Sequence, residues 1–289
     1  LPADGPPPED DPGTSPLVYN NDFQSGMGVY REDYTINHFG SFTNEQFGAP
    51  TGCELTKTFV LVDDPDEPGN KVLRIRQDRD TCITNEGNET RLQKHRSQWV
   101  PHAGSSYFIP KDRETWMGLR LRFNGSQNPP GGQNPYVLQA RLFASSSYET
   151  PDVRVVHDGQ GLMIRQAYRD SAGVQQYGKA HVIPIVPNQW MNIVMQFKLT
   201  STQPDGYFRL WLNADSANDA PLINWNDIWT GSFLDDAILG GAYKRDYETH
   251  HSIGWYWGDA TTDQDHQMYI DDVSYAFGAS GFDAVNPAR

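Results

Sequence analysis

The feature that most limits the fold of this chain is a series of short segments in which apolar and polar residues alternate. Alternation with a period of two is typical of β-strands that bury one face. Turn sequences such as those at 66–69 and 203–206 separate the segments, and we find no helical periodicity over more than about two turns. The predicted strands are 57–62, 71–76, 92–100, 116–123, 136–143, 153–157, 162–168, 190–199, 207–212, 238–243, 252–257 and 268–275.

Many short strands without intervening helices predict an all-β fold with two stacked sheets. We expect a β-jelly roll, a concanavalin-like sandwich in which one sheet curves and leaves a concave outer face for a substrate. The Pro- and Asp-rich residues 1–16 are typical of a flexible leader or linker. The remaining residues, 17–289, are predicted to form one jelly-roll domain.

The charge of the chain excludes some classes of partner. Its formal net charge is -14, whereas non-specific nucleic-acid binding needs a basic surface. No apolar run approaches the roughly 20 residues of a membrane span. An acidic protein can still carry a local basic cleft, so an anionic substrate remains open. We expect a monomer without an organic cofactor, nucleic-acid partner or membrane partner.

Two predicted strands place cations and amides at alternating positions. Side chains two residues apart on a strand point to the same face. Lys94, Arg96 and Gln98 therefore share one face of their strand, and Gln139 and Arg141 share one face of theirs. Cations and amides without a paired acid suit an anionic sugar better than a neutral one.

A third predicted strand adds a phenol to this set. Tyr243 has the same parity as Arg245, while Lys244 between them has the opposite parity. Arginines recur at alternating positions of other strands, among them Arg120 and Arg165. Like charges side by side on a sheet repel unless something anionic lies between them. The pattern therefore predicts that Lys244, Arg245, Arg120 and Arg165 bind substrate together with Lys94 and Gln98.

These segments, taken in order, resemble the jelly-roll polysaccharide lyases, the group that holds heparin lyase I, the glucuronan lyases and the alginate lyases. KHRSQW at 94–99 is similar to the arginine-x-acid strand of the group, and YVLQARLF at 136–143 to its glutamine-x-histidine strand. LGGAY at 239–243 is similar to the lysine-x-Gly-x-tyrosine strand, and MYIDDVSYA at 268–276 to the closing strand.

The resemblance implies a polysaccharide lyase that cleaves a uronic-acid-containing polysaccharide by β-elimination. Arg96, Gln98 and Gln139 would hold the uronate carboxylate, Arg141 would add charge, and Tyr243 would be the catalytic acid. The chain departs from the group at Gln98, which replaces a glutamate, at Arg141, which replaces a histidine, and at Leu239, which replaces a lysine. The general base is therefore open, and all eight histidines are candidates: His38, His95, His102, His157, His181, His250, His251 and His266.

Two alternatives remain open from the residues alone. A glycoside hydrolase on the same fold would need two carboxylates about 5 to 10 Å apart, and such pairs are scarce on the predicted strands. A non-catalytic carbohydrate-binding module would bind the polymer without shortening it.

Two further features point to structural sites. Cys53 and Cys82 flank two predicted strands, which predicts a disulfide and a secreted protein, extracellular or periplasmic. Asp22 near the first strand and Asp272 in the last could clamp neighbouring strands through a structural Ca²⁺ ion.

Overall fold

The computed structural model of this protein describes several separate stretches of the chain. The described residues are 17–25, 59–77, 83–84, 94–99, 113–125, 135–142, 148–156, 159–169, 174–198, 205–228, 249–256, 266–279 and 281–287. The leader predicted at 1–16, the strand predicted at 238–243, and both cysteines lie outside them.

The described chain forms fifteen strands and one short helix. In chain order they are β1 Leu17–Asn21, β2 Phe59–Asp63, β3 Lys71–Gln77, β4 Ile83–Thr84, β5 Lys94–Trp99, β6 Glu114–Phe123, β7 Tyr136–Leu142, β8 Tyr148–Val155, β9 Gly161–Arg169, β10 Gln175–Pro184, β11 Trp190–Lys198, β12 Gly206–Leu212, β13 Ile223–Ile228, β14 Thr249–Tyr256, β15 His266–Phe277 and α1 Gly281–Val285. No helix in these ranges is long and apolar enough to cross a membrane.

The strands form two antiparallel sheets, which confirms the predicted jelly roll. The eight-stranded sheet has the order β13-β12-β11-β6-β15-β3-β2, with β1 paired to β15. The seven-stranded sheet has the order β10-β9-β8-β7-β14-β5-β4. Strands β1, β4, β10 and β13 are not among the strands predicted from the sequence.

One hydrophobic core lies between the sheets. Leu119 and Ile193 contribute from the eight-stranded sheet, and Leu138, Ile164 and Ile253 contribute from the seven-stranded sheet. All five side chains are almost completely buried. Since strand residues alternate between faces, the residues next to them in sequence belong to the outer faces of the two sheets, with the exception of Val137, which is also in the core.

A second apolar cluster lies on the outer face of the eight-stranded sheet, under α1. The indoles of Trp116 and Trp211 stack with centroids 5.6 Å apart, and Phe282 of α1 contacts both edge-on. Gly118 permits this approach because a Cβ there would lie 1.7 Å from the carbonyl oxygen of Val285. This outer face is therefore partly covered by the protein's own C-terminal helix.

Candidate active site

Strand β14 lies between the two strands that the sequence singled out for their cations and amides. It pairs on one side with β5, which carries Arg96 and Gln98, and on the other with β7, which carries Gln139 and Arg141. The fold therefore brings these two distant segments to either side of one central strand. The sequence pattern alone did not identify the strand that separates them.

A buried row of residues fixes which positions of this sheet face outward. Ile253, Leu138, Val153 and Ile164 are register partners across four adjacent strands, and all are buried in the core. Positions directly before and after this row belong to the outer face by the alternation of a strand, except on β7, where Val137 is also buried in the core and the register with β8 shifts. Two continuous rows of outer positions flank it.

The first row contains two tyrosines, and we call it the tyrosine row. It crosses six strands by direct register pairing, in the order Arg96, Tyr256, Tyr136, Arg154, Met163 and Val182. Trp255, directly before Tyr256, is fully buried, and so is Val137, directly after Tyr136. Both tyrosine positions therefore belong to the outer face.

The second row contains a glutamine, and we call it the glutamine row. It crosses five strands, in the order Ser252, Gln139, Asp152, Arg165 and Ala180. Arg141 lies two residues beyond Gln139 and pairs with His250 of β14. Asp152 is the one acid in this row, and the two carboxylates that a glycoside hydrolase needs are not found together in it.

Gly254 interrupts β14 between the two rows. It is the register partner of Gln98 and has a φ of 137°, a conformation that favours glycine. The β14–β7 register shifts between Ile253 and Tyr256, which marks an irregularity of the strand at this point. The position opposite Gln98 therefore carries no side chain.

The central strand also contains the glycine–tyrosine spacing that the sequence analysis assigned elsewhere. Gly254-Trp-Tyr256 has the same Gly-x-Tyr spacing as Gly241-Ala-Tyr243. Tyr256 lies in register with Arg96. Tyr243, Lys244 and Arg245 lie outside the described residues, so their predicted roles stay predictions. The signal that could have identified Tyr256 was its position in a predicted strand, 252–257.

The structure separates Arg120 from this site. Arg120 lies on β6 of the eight-stranded sheet, whose outer face is the opposite side of the sandwich. Its Nη1 is 3.2 Å from Asp271 Oδ2, its Nη2 is 3.8 Å from Asp64 Oδ2, and its guanidinium lies 4.5 Å from the Trp190 ring. The expectation that Arg120 shares a substrate-binding face with Arg165 is wrong, because the anions beside it are carboxylates of the protein.

The recurring arginines therefore divide between two sheets. Arg122, like Arg120, lies on the outer face of the eight-stranded sheet, where its Nη2 is 3.4 Å from Asp66 Oδ1. Arg154 and Arg165 lie on the outer face of the seven-stranded sheet, in the tyrosine and glutamine rows. Only the second pair belongs to the same face as Arg96 and Gln139.

The acids around Arg120 include the residue predicted to bind calcium. Burial and the neighbouring Asp272 raise the pKa of Asp271 to about 7, against the opposing effects of Asn70 and Arg120. Burial also raises the pKa of Asp272, Asp22 adds to this rise, and Arg120 opposes it. Asp22 is thus close enough to Asp272 for their charges to interact.

The donor set around Asp272 fits a calcium ion only in part. Calcium takes six to eight oxygen ligands, and the described ranges contain no group of three or more His, Cys, Asp or Glu residues arranged to hold a metal. Asp271 Oδ2 already accepts hydrogen bonds from Asn70 and Arg120, and Asp271 Oδ1 from the backbone of Asp272. The calcium ion therefore stays a prediction.

The histidines differ in their access to the site. His266 is completely buried against Trp255, with ring centroids 5.6 Å apart, so it cannot act as a base on a polymer. His181 lies in register with the core residue Ile164. His250 belongs to the outer series of β14 and is the histidine that the strand pairing brings beside Arg141.

Comparisons with known proteins concern the family of the chain and its fold. The family model described as polysaccharide lyase matches residues 32–274. The structure is similar to that of endo-β-1,4-glucuronan lyase from the fungus Trichoderma reesei, with a TM-score of 0.60 at 14% identity over 94% of this chain and 99% of that chain. Alginate lyase vAL-1 from Chlorella virus gives a TM-score of 0.47 at 10% identity, over 77% of this chain and 90% of that chain. Among curated protein sequences, none matches this chain.

Proposed function

The chain belongs to the polysaccharide lyase family, and we propose that it cleaves a uronic-acid-containing anionic polysaccharide by β-elimination at the outer face of the seven-stranded sheet. The observation that carries the proposal is the register pair of Arg96 and Tyr256, with Gln98 on the same strand as Arg96. It joins a cation, an amide and a phenol on one face of two adjacent strands.

β-Elimination requires stabilisation of charge on the substrate. The C5 proton of a uronate is weakly acidic, and its removal places negative charge on the neighbouring carboxylate. Cations and amide donors aimed at that carboxylate lower the barrier, as an oxyanion site does in acyl transfer. In this proposal Arg96, Gln98 and Gln139 donate to the carboxylate, and Arg141 and Lys94 add positive charge to the same face.

Tyr256 moves the proton in this proposal. A free phenol has a pKa of about 10, and a neighbouring cation lowers it; Arg96 is the cation in register with Tyr256. The phenolate takes the proton from C5, the C4–O4 bond breaks as the C4–C5 double bond forms, and the phenol returns the proton to O4. One fragment leaves with a new hydroxyl, and the other carries an unsaturated sugar end.

The first polymer to test is glucuronan. The fungal enzyme similar in structure over nearly all of its own length is named as an endo-β-1,4-glucuronan lyase. Alginate, ulvan and glycosaminoglycans share the carboxylate that the cationic face would recognise. We also propose that the protein is secreted, extracellular or periplasmic, since Cys53 and Cys82 are spaced for a disulfide.

The test compares tyrosine variants on a panel of anionic polysaccharides. Double-bond absorbance reports elimination, and chain length reports cleavage of either kind. Tyr256→Phe should lower kcat by roughly 100-fold or more while polymer binding and Tm are retained, because general acid–base groups contribute about 10²- to 10⁴-fold. Tyr136→Phe, the neighbouring tyrosine of the same row, is the matched control.

The outcomes separate the alternatives. Loss of turnover in Tyr243→Phe with a fully active Tyr256→Phe would return the catalytic role to the tyrosine predicted from the sequence. Chain shortening by the wild type without double-bond absorbance would indicate a glycoside hydrolase. Binding without shortening would indicate a carbohydrate-binding module.

A further inference from the structure

We infer that β9 and β10 form a distal sugar subsite, in which Tyr177 and Arg165 bind a uronate residue of the polymer several units away from Tyr256. This inference rests on the proposed function, because it extends the same outer face toward the edge of the sheet. It assigns a role to β10, a strand that the sequence analysis did not predict.

The subsite is built on a close contact between an arginine and an aromatic ring. The Arg165 Cζ atom lies 3.5 Å from the centroid of the Tyr177 ring. Tyr177 is 46% exposed, so one side of its ring is open to a ligand. Cation–π contact fixes the ring and the guanidinium in one arrangement. An exposed ring offers an apolar surface for a pyranose, and the guanidinium of Arg165, whose register partner on β8 is Asp152, adds a cation beside it.

A buried glutamine holds the backbone of β10 in the conformation that presents Tyr177. The β10–β9 register shifts between Tyr177 and Ala180, so that residues 178 and 179 together oppose Gln166 and β10 contains one extra residue. Gln166 is buried, and its Oε1 accepts a hydrogen bond from the Lys179 amide at 3.3 Å. A Cβ at Gly178 would lie 2.1 Å from the same oxygen, so a side chain there would displace the Gln166 amide from this hydrogen bond.

Further apolar side chains lie on the same part of the face. Val182 is 50% exposed and pairs with Met163, and these two residues end the tyrosine row. Gly161 lies beside Val182, since a Cβ there would meet the valine Cγ1 at 2.6 Å. Exposed apolar residues on a long edge strand are a liability unless something covers them. Because these exposed residues continue the tyrosine and glutamine rows, the polymer bound along those rows would cover them.

The spacing of strands gives the distance between this subsite and the reacting sugar. Strands β14, β7, β8, β9 and β10 are consecutive neighbours in the sheet. Adjacent strands lie about 4.8 Å apart, so β10 lies roughly 19 Å from β14. This separation corresponds to several sugar residues when the polymer follows the rows across the strands. The enzyme is therefore expected to act within long chains and to process short oligomers poorly.

The experiment measures kcat/KM on uronate oligomers of increasing length and on the polymer. Tyr177→Ala should lower kcat/KM roughly three- to tenfold on the polymer and on long oligomers, the size of one aromatic contact, through a higher KM. The shortest cleavable oligomers, which do not reach β10, should be cleaved at the wild-type rate. Tyr177→Phe should retain most of the wild-type value. Leu222→Ala, which truncates an exposed apolar residue of the loop before β13, is the control.

Each result decides the inference. An equal loss on short and long substrates, or no loss on either, overturns the distal subsite and leaves the proposed lyase activity intact. A wild-type protein that forms no unsaturated ends overturns the proposed function. In that case polymer binding tests the subsite, measured as the retardation of the protein in gels that contain the polymer. Equal retardation of wild type and Tyr177→Ala would overturn it.

Discussion

Asp271 and Arg120 are direct register partners on β15 and β6, and their side chains form an ion pair of 3.2 Å. Asp271 is only 2% exposed. Despite this cation, burial and the negative charge of Asp272 raise the pKa of Asp271 to about 7. The carboxylate is therefore held in a place that penalises its charge, on the side of the sandwich opposite the candidate active site.

The first prediction concerns the dependence of stability on pH. The pKa of Asp271 is raised in the folded state above the ordinary value of 3.8, so the folded protein binds the proton more tightly than the unfolded chain. The contribution of this group to stability is greatest below pH 4 and is lost as the pH rises toward 7. Asp271→Asn should therefore reduce the fall of Tm between pH 5 and pH 8, measured against wild type. An unchanged slope would contradict the raised pKa.

A second prediction separates the two arginines that the sequence grouped together. Arg120→Met should lower the free energy of unfolding by about 3 kcal/mol, because removal of one partner leaves Asp271 buried without its cation. It should leave KM for the polymer unchanged. Arg165→Met on the other sheet should raise KM and have a smaller effect on stability. Denaturant titration and initial rates measure both, and a raised KM in Arg120→Met would restore it to the substrate-binding set.

The third prediction concerns α1. Gly118→Ala places a methyl group 1.7 Å from the Val285 carbonyl oxygen, so the helix must move away from β6. Overpacking of this kind costs about 1–3 kcal/mol. We expect a lower Tm and faster proteolysis of the segment after β15, with kcat retained. Wild-type resistance to proteolysis would show that α1 can shift at little cost.

The fourth prediction tests the calcium ion between β1 and β15. If Ca²⁺ joins Asp22 to Asp272, it stabilises the folded state by about 2.7 kcal/mol at 100 times its Kd. Chelation should then lower Tm, and Asp22→Asn should remove that effect. A Tm that does not respond to chelator would contradict the calcium ion, and Arg120 would then be the cation that neutralises these acids.

The fifth prediction concerns Cys53 and Cys82. A disulfide between them closes a loop of about 30 residues and should stabilise the protein by roughly 3 kcal/mol in the loop-entropy model. Thiol titration of the native, air-purified protein should find no free thiol, and reduction should lower Tm. Two reactive thiols in the native protein would rule the bridge out.

The all-β fold could be predicted from the sequence because apolar and polar residues alternate along most of the strands and turn sequences separate them. Four of the described strands, β1, β4, β10 and β13, are outside the predicted set, and the last two were missed for local reasons. In β10, Gly178 and Pro184 interrupt the alternation of apolar and polar residues. In β13, Asn224, Asn226 and Asp227 dilute the apolar signal, and Asp227 adopts a positive φ of 52°.

The sequence predicted which residues share a face within each strand of the candidate site, but not which strands are neighbours in the sheet. Parity within a strand placed Arg96 with Gln98 and Gln139 with Arg141. Parity carries no information about which strand separates two others, so Gly241-Ala-Tyr243 and Gly254-Trp-Tyr256 were equivalent until the pairing of β14 was known. For the same reason Arg120 and Arg165 could not be assigned to different sheets.

The positive φ of Gly254 has a consequence for how this protein can vary. Any other residue there would be strained by its backbone and would project a side chain beside Gln98. In a library that replaces each codon of β14 in turn, we expect selection for activity to return glycine at this position. Ser252, two residues earlier, has no such backbone requirement, and we expect many substitutions to be tolerated there. Comparing the two codons therefore separates the effect of backbone conformation from the effect of the side chain.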